Sequence, residues 1–180
     1  MRITLLFALL VTHCLAQADT LTGRVIRVTD GDTIVVLDSA NVQHKIRLTG
    51  IDAPERKQAF GTKSKDNLSE SVAGKFVVVE HEKRDRYERI LGKVLLNNQD
   101  MNFEQVKAGL AWHYKYYQKE QTPADRVKYS DMEREARMEK RGLWYEANPV
   151  PPWDYRKAER KQKKAMEPFE IRSETRDKSY

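Results

Sequence analysis

Residues 21–50 read LTGRVIRVTDGDTIVVLDSANVQHKIRLTG, and apolar and polar side chains alternate along much of this stretch. Alternation with a period of two is typical of strands that bury one face. The turn sequences TDGD (29–32) and DSAN (38–41) interrupt the alternation, since Asp, Asn and Gly favour tight turns. We therefore predict three successive strands, with cores at residues 20–28, 33–37 and 42–48.

Two more strands and one helix are predicted after this stretch. Residues 75–82 (KFVVVEHE) and 89–97 (RILGKVLLN) are rich in the β-branched and aliphatic residues that favour strands. Between the third and fourth strands, apolar side chains four positions apart and Gly74 indicate a helix over residues 62–72.

Two further helices are predicted in the C-terminal half. A short one extends through Ala108, with Asn102 as its cap. A longer one has Thr122 as its N-cap and Pro123 at its first helical position, and it ends at Gly142. This order of elements predicts an α+β fold, a five-stranded OB-type Greek-key β-barrel with about three helices. Such barrels bind oligonucleotides or oligosaccharides, although the fold alone does not decide the function.

The first 18 of the 180 residues have the composition of a secretory signal peptide. An apolar stretch over residues 3–11 is too short to span a membrane, and the small residues of AQA (16–18) suit cleavage by signal peptidase. We expect an exported protein, periplasmic or secreted, with no stable membrane span. The single cysteine, Cys14, lies in this segment, so the mature chain has neither disulfides nor thiolate metal sites.

The rest of the chain is predicted to form a barrel domain, residues 19–153, and a basic, flexible tail, residues 154–180. The tail has few apolar anchors, so we expect a frayed helix or disorder there. Residues 155–180 carry nine Lys or Arg against five Asp or Glu, which is most of the net charge of +6. The domain itself is nearly balanced in charge, so any affinity for a polyanion must come from local clusters of basic residues.

Charged side chains are concentrated in two loops of the predicted barrel. Asp30 and Asp32 stand at the start of the second strand, and Asp52 and Glu55 follow the third in IRLTGIDAPE (46–55). Asp before Gly is common turn chemistry, so we interpret Asp30 as a turn residue. Asp32 by itself could equally be a turn residue, or it could bind a metal ion.

Three strings of sequence, in this order and spacing, resemble the staphylococcal nuclease (thermonuclease) family. They are DGDT (30–33), IRLTGIDAPE (46–55) and RDRYERILGKV (84–94). The later GLAW and RGLW also fit, so the resemblance covers roughly residues 21–153. It implies a calcium-dependent phosphodiesterase on an OB barrel that cuts DNA and RNA and leaves 3′-phosphate ends. We expect it to act as a monomer.

The resemblance also implies roles for individual residues. It assigns calcium binding to Asp32, Asp52 and Ala53, the last through its backbone carbonyl. It assigns catalysis to Arg47, Glu55 and Arg89. It assigns contacts with the substrate to Arg86, Tyr87 and Tyr117.

The chemistry of these residue types suits a phosphodiester. Hydrolysis adds negative charge to the phosphorus oxygens, and the planar fork of arginine can bond two such oxygens while staying charged. Calcium takes hard oxygen ligands, but Ile34 at a ligand position excludes an EF-hand loop. Glu55 is the only candidate general base in these strings without a metal role, and it either takes the proton of the attacking water or orients that water. The general acid stays open.

Some residues favour other interpretations. Glu88 stands where the family more often has glycine, so a turn with positive φ would strain it and its charge would oppose that of Arg89. The alternative function is therefore a non-catalytic or weakly active nucleic-acid-binding OB module. The aromatic segment WHYKYY (112–117) could stack on bases or pack in the core and its rim.

Overall fold

A computed structural model describes the backbone of residues 19–176 and the side chains of residues 19–166. The predicted signal peptide lies outside the described residues. The strands are β1 (Asp19–Asp30), β2 (Thr33–Leu37), β3 (Gln43–Leu48), β4 (Ile51–Asp52), β5 (Phe76–Arg84), β6 (Ile90–Leu96), β7 (Gln99–Asp100) and β8 (Trp112–His113). The α-helices are α1 (Gly61–Val72), α2 (Met101–Lys107), α3 (Pro123–Met138) and α4 (Pro152–Arg176). Two short 3-10 helices cover Lys115–Glu120 and Gly142–Tyr145.

Five strands close into a barrel, which confirms the predicted OB-type fold. They follow the order β3-β2-β1-β5-β6, and a parallel pairing of β3 with β6, with Ile46 opposite Ile90, closes the ring. Strand β1 is long enough to serve two neighbours, because its first half pairs with β5 and its second half with β2. Register shifts after Val25 and Val28 mark irregularities at which β1 can bend.

Alternation places one face of β1, β3, β5 and β6 in a single core, while β2 is buried on both faces from Thr33 to Val36. Side chains there include Val25, Val36, Ile46, Val79 and Val94, each at most 1% exposed. Burial of this branched apolar set stabilises the barrel without any cross-link, at about 1.5–3 kcal/mol for each large side chain. The polar faces of the strands and the loops at their ends remain available for a functional site.

The helix boundaries agree with the sequence in part. Helix α1 ends at Val72, and Thr122 caps α3 by accepting the Asp125 N–H at 3.1 Å. The predicted end of α3 at Gly142 is wrong, because the helix ends at Met138 and Lys140 then takes φ 55°.

The predicted cap of α2 is also wrong. Asp100, rather than Asn102, accepts the Phe103 N–H at 3.0 Å, since a carboxylate two residues earlier already supplies the cap. Asn102 is buried inside the helix. Its amide accepts from Val94 N at 3.0 Å and donates to the carbonyls of Thr49 and Gly92, so it joins α2 to β6 and to the loop after β3.

Helix α4 covers most of the segment for which we predicted either a frayed helix or disorder. Its second residue, Trp153, packs against Trp112 and Tyr114, with ring centroids 5.4 and 5.3 Å apart. The helix thus starts on the barrel and crosses the predicted boundary at residue 153, while the division into domain and tail stays a prediction. Of the helices within residues 19–176, none is both long and apolar enough for a membrane crossing.

Candidate active site

Asp32 lies in a tight hairpin loop between β1 and β2. Asp30 pairs with Thr33, so Gly31 and Asp32 are the two loop residues. The Asp32 carboxylate accepts the Ala53 N–H at 2.8 Å and the Thr33 hydroxyl at 2.9 Å. These bonds hold the carboxylate against the loop that carries Asp52.

Close packing at Gly31 fixes the position of this hairpin. A Cβ at Gly31 would lie 1.8 Å from the Ser64 hydroxyl oxygen and 2.8 Å from the Ala53 Cβ, so only glycine fits. The buried amide of Gln105 donates to the carbonyls of Gly31 and Ser64 at 2.7 and 3.0 Å. The hairpin is therefore tied to α1 and α2, and Asp32 is presented by a rigid support.

Asp30, at the end of β1, is placed in the turn as predicted. Burial, and after it the charge and hydrogen bonding of Asp32, raise the pKa of Asp30 to about 7. The carboxylate of Asp32 has the Arg47 guanidinium and the Ala53 N–H as partners.

Asp52 sits on the short strand β4, opposite Trp112 of β8. Gly50, with φ 74°, makes the turn that separates β4 from β3. The Asp52 side chain is 1% exposed. Burial raises its pKa, and the guanidinium groups of Arg156 and Arg47 oppose that rise. A carboxylate removed from water in this way depends on cationic partners.

Arg47 joins the two aspartates. One terminal nitrogen of its guanidinium lies 2.8 Å from Asp52 Oδ1 and 3.0 Å from Asp32 Oδ2, and the other donates to the Leu48 carbonyl at 2.6 Å. A single cationic centre thus contacts one oxygen of each carboxylate. The structure brings these three predicted residues together, while their catalytic and metal-binding roles stay predictions.

The donor set fits a hard cation such as calcium. The two aspartate oxygens that converge on Arg47, with the nearby backbone of Ala53, are the oxygen ligands that calcium prefers, and water and phosphate oxygens can complete its shell. Within residues 19–176, no three His, Cys, Asp or Glu form a metal-binding group. Two carboxylates and a backbone carbonyl leave coordination positions for water, so these donors fit a partly hydrated calcium ion.

Glu55 lies in the loop before α1, and its side chain is 37% exposed. Its backbone N–H donates to the Gln58 side chain at 3.1 Å, and its carbonyl accepts the Gln58 N–H at 2.8 Å. The Glu55 carboxylate accepts from Arg156 at 2.7 Å. The backbone of Glu55 is thus fixed independently of its side chain, which faces solvent from the edge of the aspartate pair.

Arg156 was not predicted as a site residue, because it lies in the segment predicted to be a flexible tail. Its guanidinium donates to Asp52 Oδ2 at 2.7 Å, to Asp52 Oδ1 at 3.2 Å and to Glu55 Oε1 at 2.7 Å. One signal could have found it. Pro152, Trp153 and Asp154 form a helix start with an aromatic anchor, and Arg156 follows Trp153 by three positions on the same helix face.

Among the described residues, the hydrogen bonds and ion pairs of the Arg89 side chain do not reach Asp32, Asp52 or Glu55. Arg89 precedes β6, whose pairing with β3 places Leu91 opposite Arg47. Its guanidinium instead bonds Asp85 at 2.7 Å. Burial by itself would raise the pKa of Asp85, but hydrogen bonds from the side chain and backbone of Arg89 lower it. The predicted second arginine is thus held in an ion pair at the barrel edge.

The predicted substrate contacts lie on exposed rims. Tyr87 is 64% exposed, and the guanidinium groups of Arg86 and Arg89 lie 4.8 and 5.6 Å from its ring centroid. Tyr117 is 48% exposed and packs edge-to-face on Tyr114 at 5.3 Å. Both side chains are exposed, which suits stacking on bases.

Part of the segment WHYKYY (112–117) packs in the core and part is exposed, so each of the two interpretations, core packing and base stacking, fits some of its residues. Trp112 and His113 are buried, and Tyr116 is 79% exposed. His113 bonds Gln121 at 2.8 Å, and His44 bonds Asp38 at 2.8 Å, so both side chains have partners within the fold. The tyrosines form the rim, while the tryptophan belongs to the core.

Glu88 occupies a backbone conformation that favours glycine. Its φ is 59°, in the turn where its N–H donates to the Asp85 carbonyl at 3.0 Å. Glu88 therefore has the positive φ at which we expected it to be strained. Left-handed conformation costs an L-residue with a Cβ about 1–2 kcal/mol relative to glycine.

Glu88→Gly is expected to raise the free energy of unfolding by about 1 kcal/mol, because relief of the φ strain exceeds the added chain entropy of glycine. Urea unfolding monitored by circular dichroism measures this change. Glu88→Ala is the matched control, since it removes the charge but keeps the Cβ. Equal stability of the two variants would contradict the argument from φ.

Comparison with known proteins agrees with this geometry. The sequence profile described as Staphylococcal nuclease homologue matches residues 45–146. An Escherichia coli protein described as an uncharacterized endonuclease is 49% identical over 135 residues, which cover 74% of this chain and 84% of that protein. The micrococcal nuclease of Shigella flexneri is 39% identical over 145 residues, which cover 76% of this chain and 80% of that protein. Helix α4 lies beyond the segment that the profile matches.

Proposed function

The chain belongs to the staphylococcal nuclease family of endonucleases, and from this premise we propose that it is a calcium-dependent phosphodiesterase that cuts DNA and RNA to leave 3′-phosphate ends. The observation that carries the proposal is the convergence of Asp32 and Asp52 on one nitrogen of Arg47, at 3.0 and 2.8 Å. Two carboxylates held this close in a largely buried site need cations beside them. The negative charge that develops on a phosphodiester during hydrolysis needs positive charge at the same place.

The charge of the site supports an added cation. The contacting groups are the carboxylates of Asp32, Asp52 and Glu55 and the guanidinium groups of Arg47 and Arg156, which give a formal charge of −1. An anionic phosphate would be repelled by that balance. When bound, calcium supplies Lewis-acid polarisation and helps to place the attacking water.

Side chains of the protein would bind the phosphate, activate the water and contact the nucleic acid. Arg47 and Arg89 would hold phosphate oxygens through their planar forks as negative charge develops there. Glu55, exposed at the edge of the site, is the group in reach of water that can take its proton or orient it. Arg86, Tyr87 and Tyr117 would line the path of the nucleic acid on either side.

Purified mature protein incubated with single-stranded DNA tests the proposal directly. Cleavage is expected in calcium and is expected to fall to background in chelator, with 3′-phosphate ends identified by mass spectrometry. The chelator-treated sample should recover when excess calcium is returned, which separates loss of the ion from loss of the fold. Equal rates with and without calcium would refute the ion dependence, and no cleavage in calcium would refute the activity.

A binding module is the second candidate, and the φ of 59° at Glu88 is the observation in its favour. Strain and negative charge beside Arg89 would both weaken a phosphate clamp. The same assay decides between the two, because a pure binding module would hold DNA in chelator and leave it intact in calcium. The clustering of Asp32, Arg47 and Asp52 favours the enzyme.

Export is part of the proposal and rests on the sequence of residues 1–18. Mass spectrometry of the protein recovered from a bacterial periplasm or culture medium should show a chain that begins near Asp19. A mature chain that retains Met1 would contradict export by this signal.

A further inference from the structure

Arg156 contacts the two carboxylates of the site that come from the loop after β3. Its fork donates to Asp52 and Glu55, with both shorter contacts at 2.7 Å. Within residues 19–166, the Glu55 carboxylate accepts no other hydrogen bond. The orientation of Glu55 in this structure is therefore set by Arg156 alone.

Arg156 bonds both oxygens of Asp52, Oδ2 at 2.7 Å and Oδ1 at 3.2 Å. Arg47 contacts Oδ1 of Asp52 at 2.8 Å, and the same nitrogen contacts Asp32 at 3.0 Å. Asp32 and Asp52 are the carboxylates that would hold the cation, and the hydrogen bonds of Arg156 go to Asp52 and Glu55. Arg156 therefore contacts a proposed metal ligand, as groups that orient metal ligands do.

The helix that carries Arg156 is anchored independently of this ion pair. Trp153 packs between Trp112 and Tyr114, and Pro152 is buried. Arg156 follows Trp153 by three positions, so a docked Trp153 directs Arg156 to the site. Loss of the guanidinium should leave the start of α4 in place.

We infer that Arg156 is a positioning residue that holds the carboxylates of Asp52 and Glu55 in their working orientation, so that the first turns of α4 complete the active site. The inference rests on the proposed function. Its physical basis is the rigid fork of arginine, which fixes two acceptors relative to each other in a way that a single ammonium group does not. Arg156 needs no contact with the substrate for this role.

Arg156→Ala is expected to lower kcat by about 10- to 100-fold with little change in KM, because positioning acts on the reacting groups rather than on DNA binding. Arg160→Ala, one turn further along the exposed side of α4, is the matched control and should keep kcat. Arg156→Lys should recover part of the loss, and guanidinium ion added to Arg156→Ala should recover part as well.

Calcium binding without DNA gives a second readout. Calorimetric titration should show affinity for calcium that is weaker by about 10-fold or more in Arg156→Ala, because Asp52 loses the guanidinium that bonds both of its oxygens. Tighter binding or a raised kcat would overturn the inference and make Arg156 a competitor of the ion. A raised KM at unchanged kcat would also overturn it, since Arg156 would then act on the substrate.

These outcomes are separable from failure of the proposed function. Wild-type protein that never cleaves DNA would refute the function, while the calorimetric comparison would still decide whether Arg156 orients Asp52. Circular dichroism and tryptophan fluorescence show whether α4 stays docked through Trp153. If Arg156→Ala does not fold, Arg156→Lys and Arg156→Gln provide the same comparison, with Lys expected to exceed Gln in both kcat and calcium affinity. The reverse order would overturn the inference.

Discussion

Replacing Arg47 by alanine is expected to slow DNA cleavage at saturating substrate by about 100- to 1,000-fold, the range for loss of one preorganised donor to a developing oxyanion. Two ion pairs, of 2.8 and 3.0 Å, and a bond to the Leu48 carbonyl hold the guanidinium in one place. Its charge is therefore fixed before the substrate arrives. Arg47→Lys should lose less, because it keeps the charge but not the fork.

The same change should also destabilise the protein when calcium is absent. Without Arg47, Asp32 and Asp52 would face each other with less compensation, and loss of one partner of a buried ion pair costs about 3–5 kcal/mol. Thermal unfolding should show a larger loss in chelator than in calcium. Lys45→Ala, which removes an exposed charge from the same face of β3, is the matched control. Wild-type activity in Arg47→Ala that is folded at the assay temperature would contradict the proposed role.

Replacing Glu55 by glutamine is expected to lower kcat by about 100- to 10,000-fold, which is the usual contribution of a general base. Glutamine has the same shape, and the loop bonds of residue 55 to Gln58 involve its backbone. The fold should therefore persist, as circular dichroism can verify. Rates measured in single turnovers isolate the chemical step.

The pH dependence of that rate distinguishes the two roles left open for Glu55. If Glu55 takes the proton, the acidic limb of the wild-type profile should disappear in Glu55→Gln. If it only orients water, the limb should persist at a lower rate. Glu70→Gln, an exposed glutamate on α1, is the matched control and should leave the rate unchanged. A fully active Glu55→Gln variant would refute both roles.

Much of the fold could be predicted because its signals are local. Alternation along residues 21–50 places the strands, and Thr122 caps α3 as expected. The errors arose where two residues could serve the same local purpose. Asp100 and Asn102 both suit an N-cap, and only packing showed that Asn102 is needed inside, where it joins α2 to β6 and to the loop after β3.

The candidate site could be predicted in part for the same reason. Asp32, Arg47 and Asp52 lie in short strings of distinctive spacing, and the structure brings them within contact distance. Arg89 shows the limit of this reasoning. Its string is equally distinctive, yet the nearest carboxylate, Asp85, holds its guanidinium in the structure.

The barrel, the hairpin that carries Asp32 and the loop that carries Asp52 could be predicted from the sequence, because periodicity and turn chemistry act over a few neighbouring residues. The bond between Asp52 and Arg156, 104 residues later in the chain, follows only from the tertiary structure. That contact depends on where a distant helix docks, and the docking depends on the packing of Trp153 against Trp112 and Tyr114. A string of basic residues looks the same in a solvated tail as in a helix that meets the site. Only the folded chain shows which of its charges is desolvated against a carboxylate.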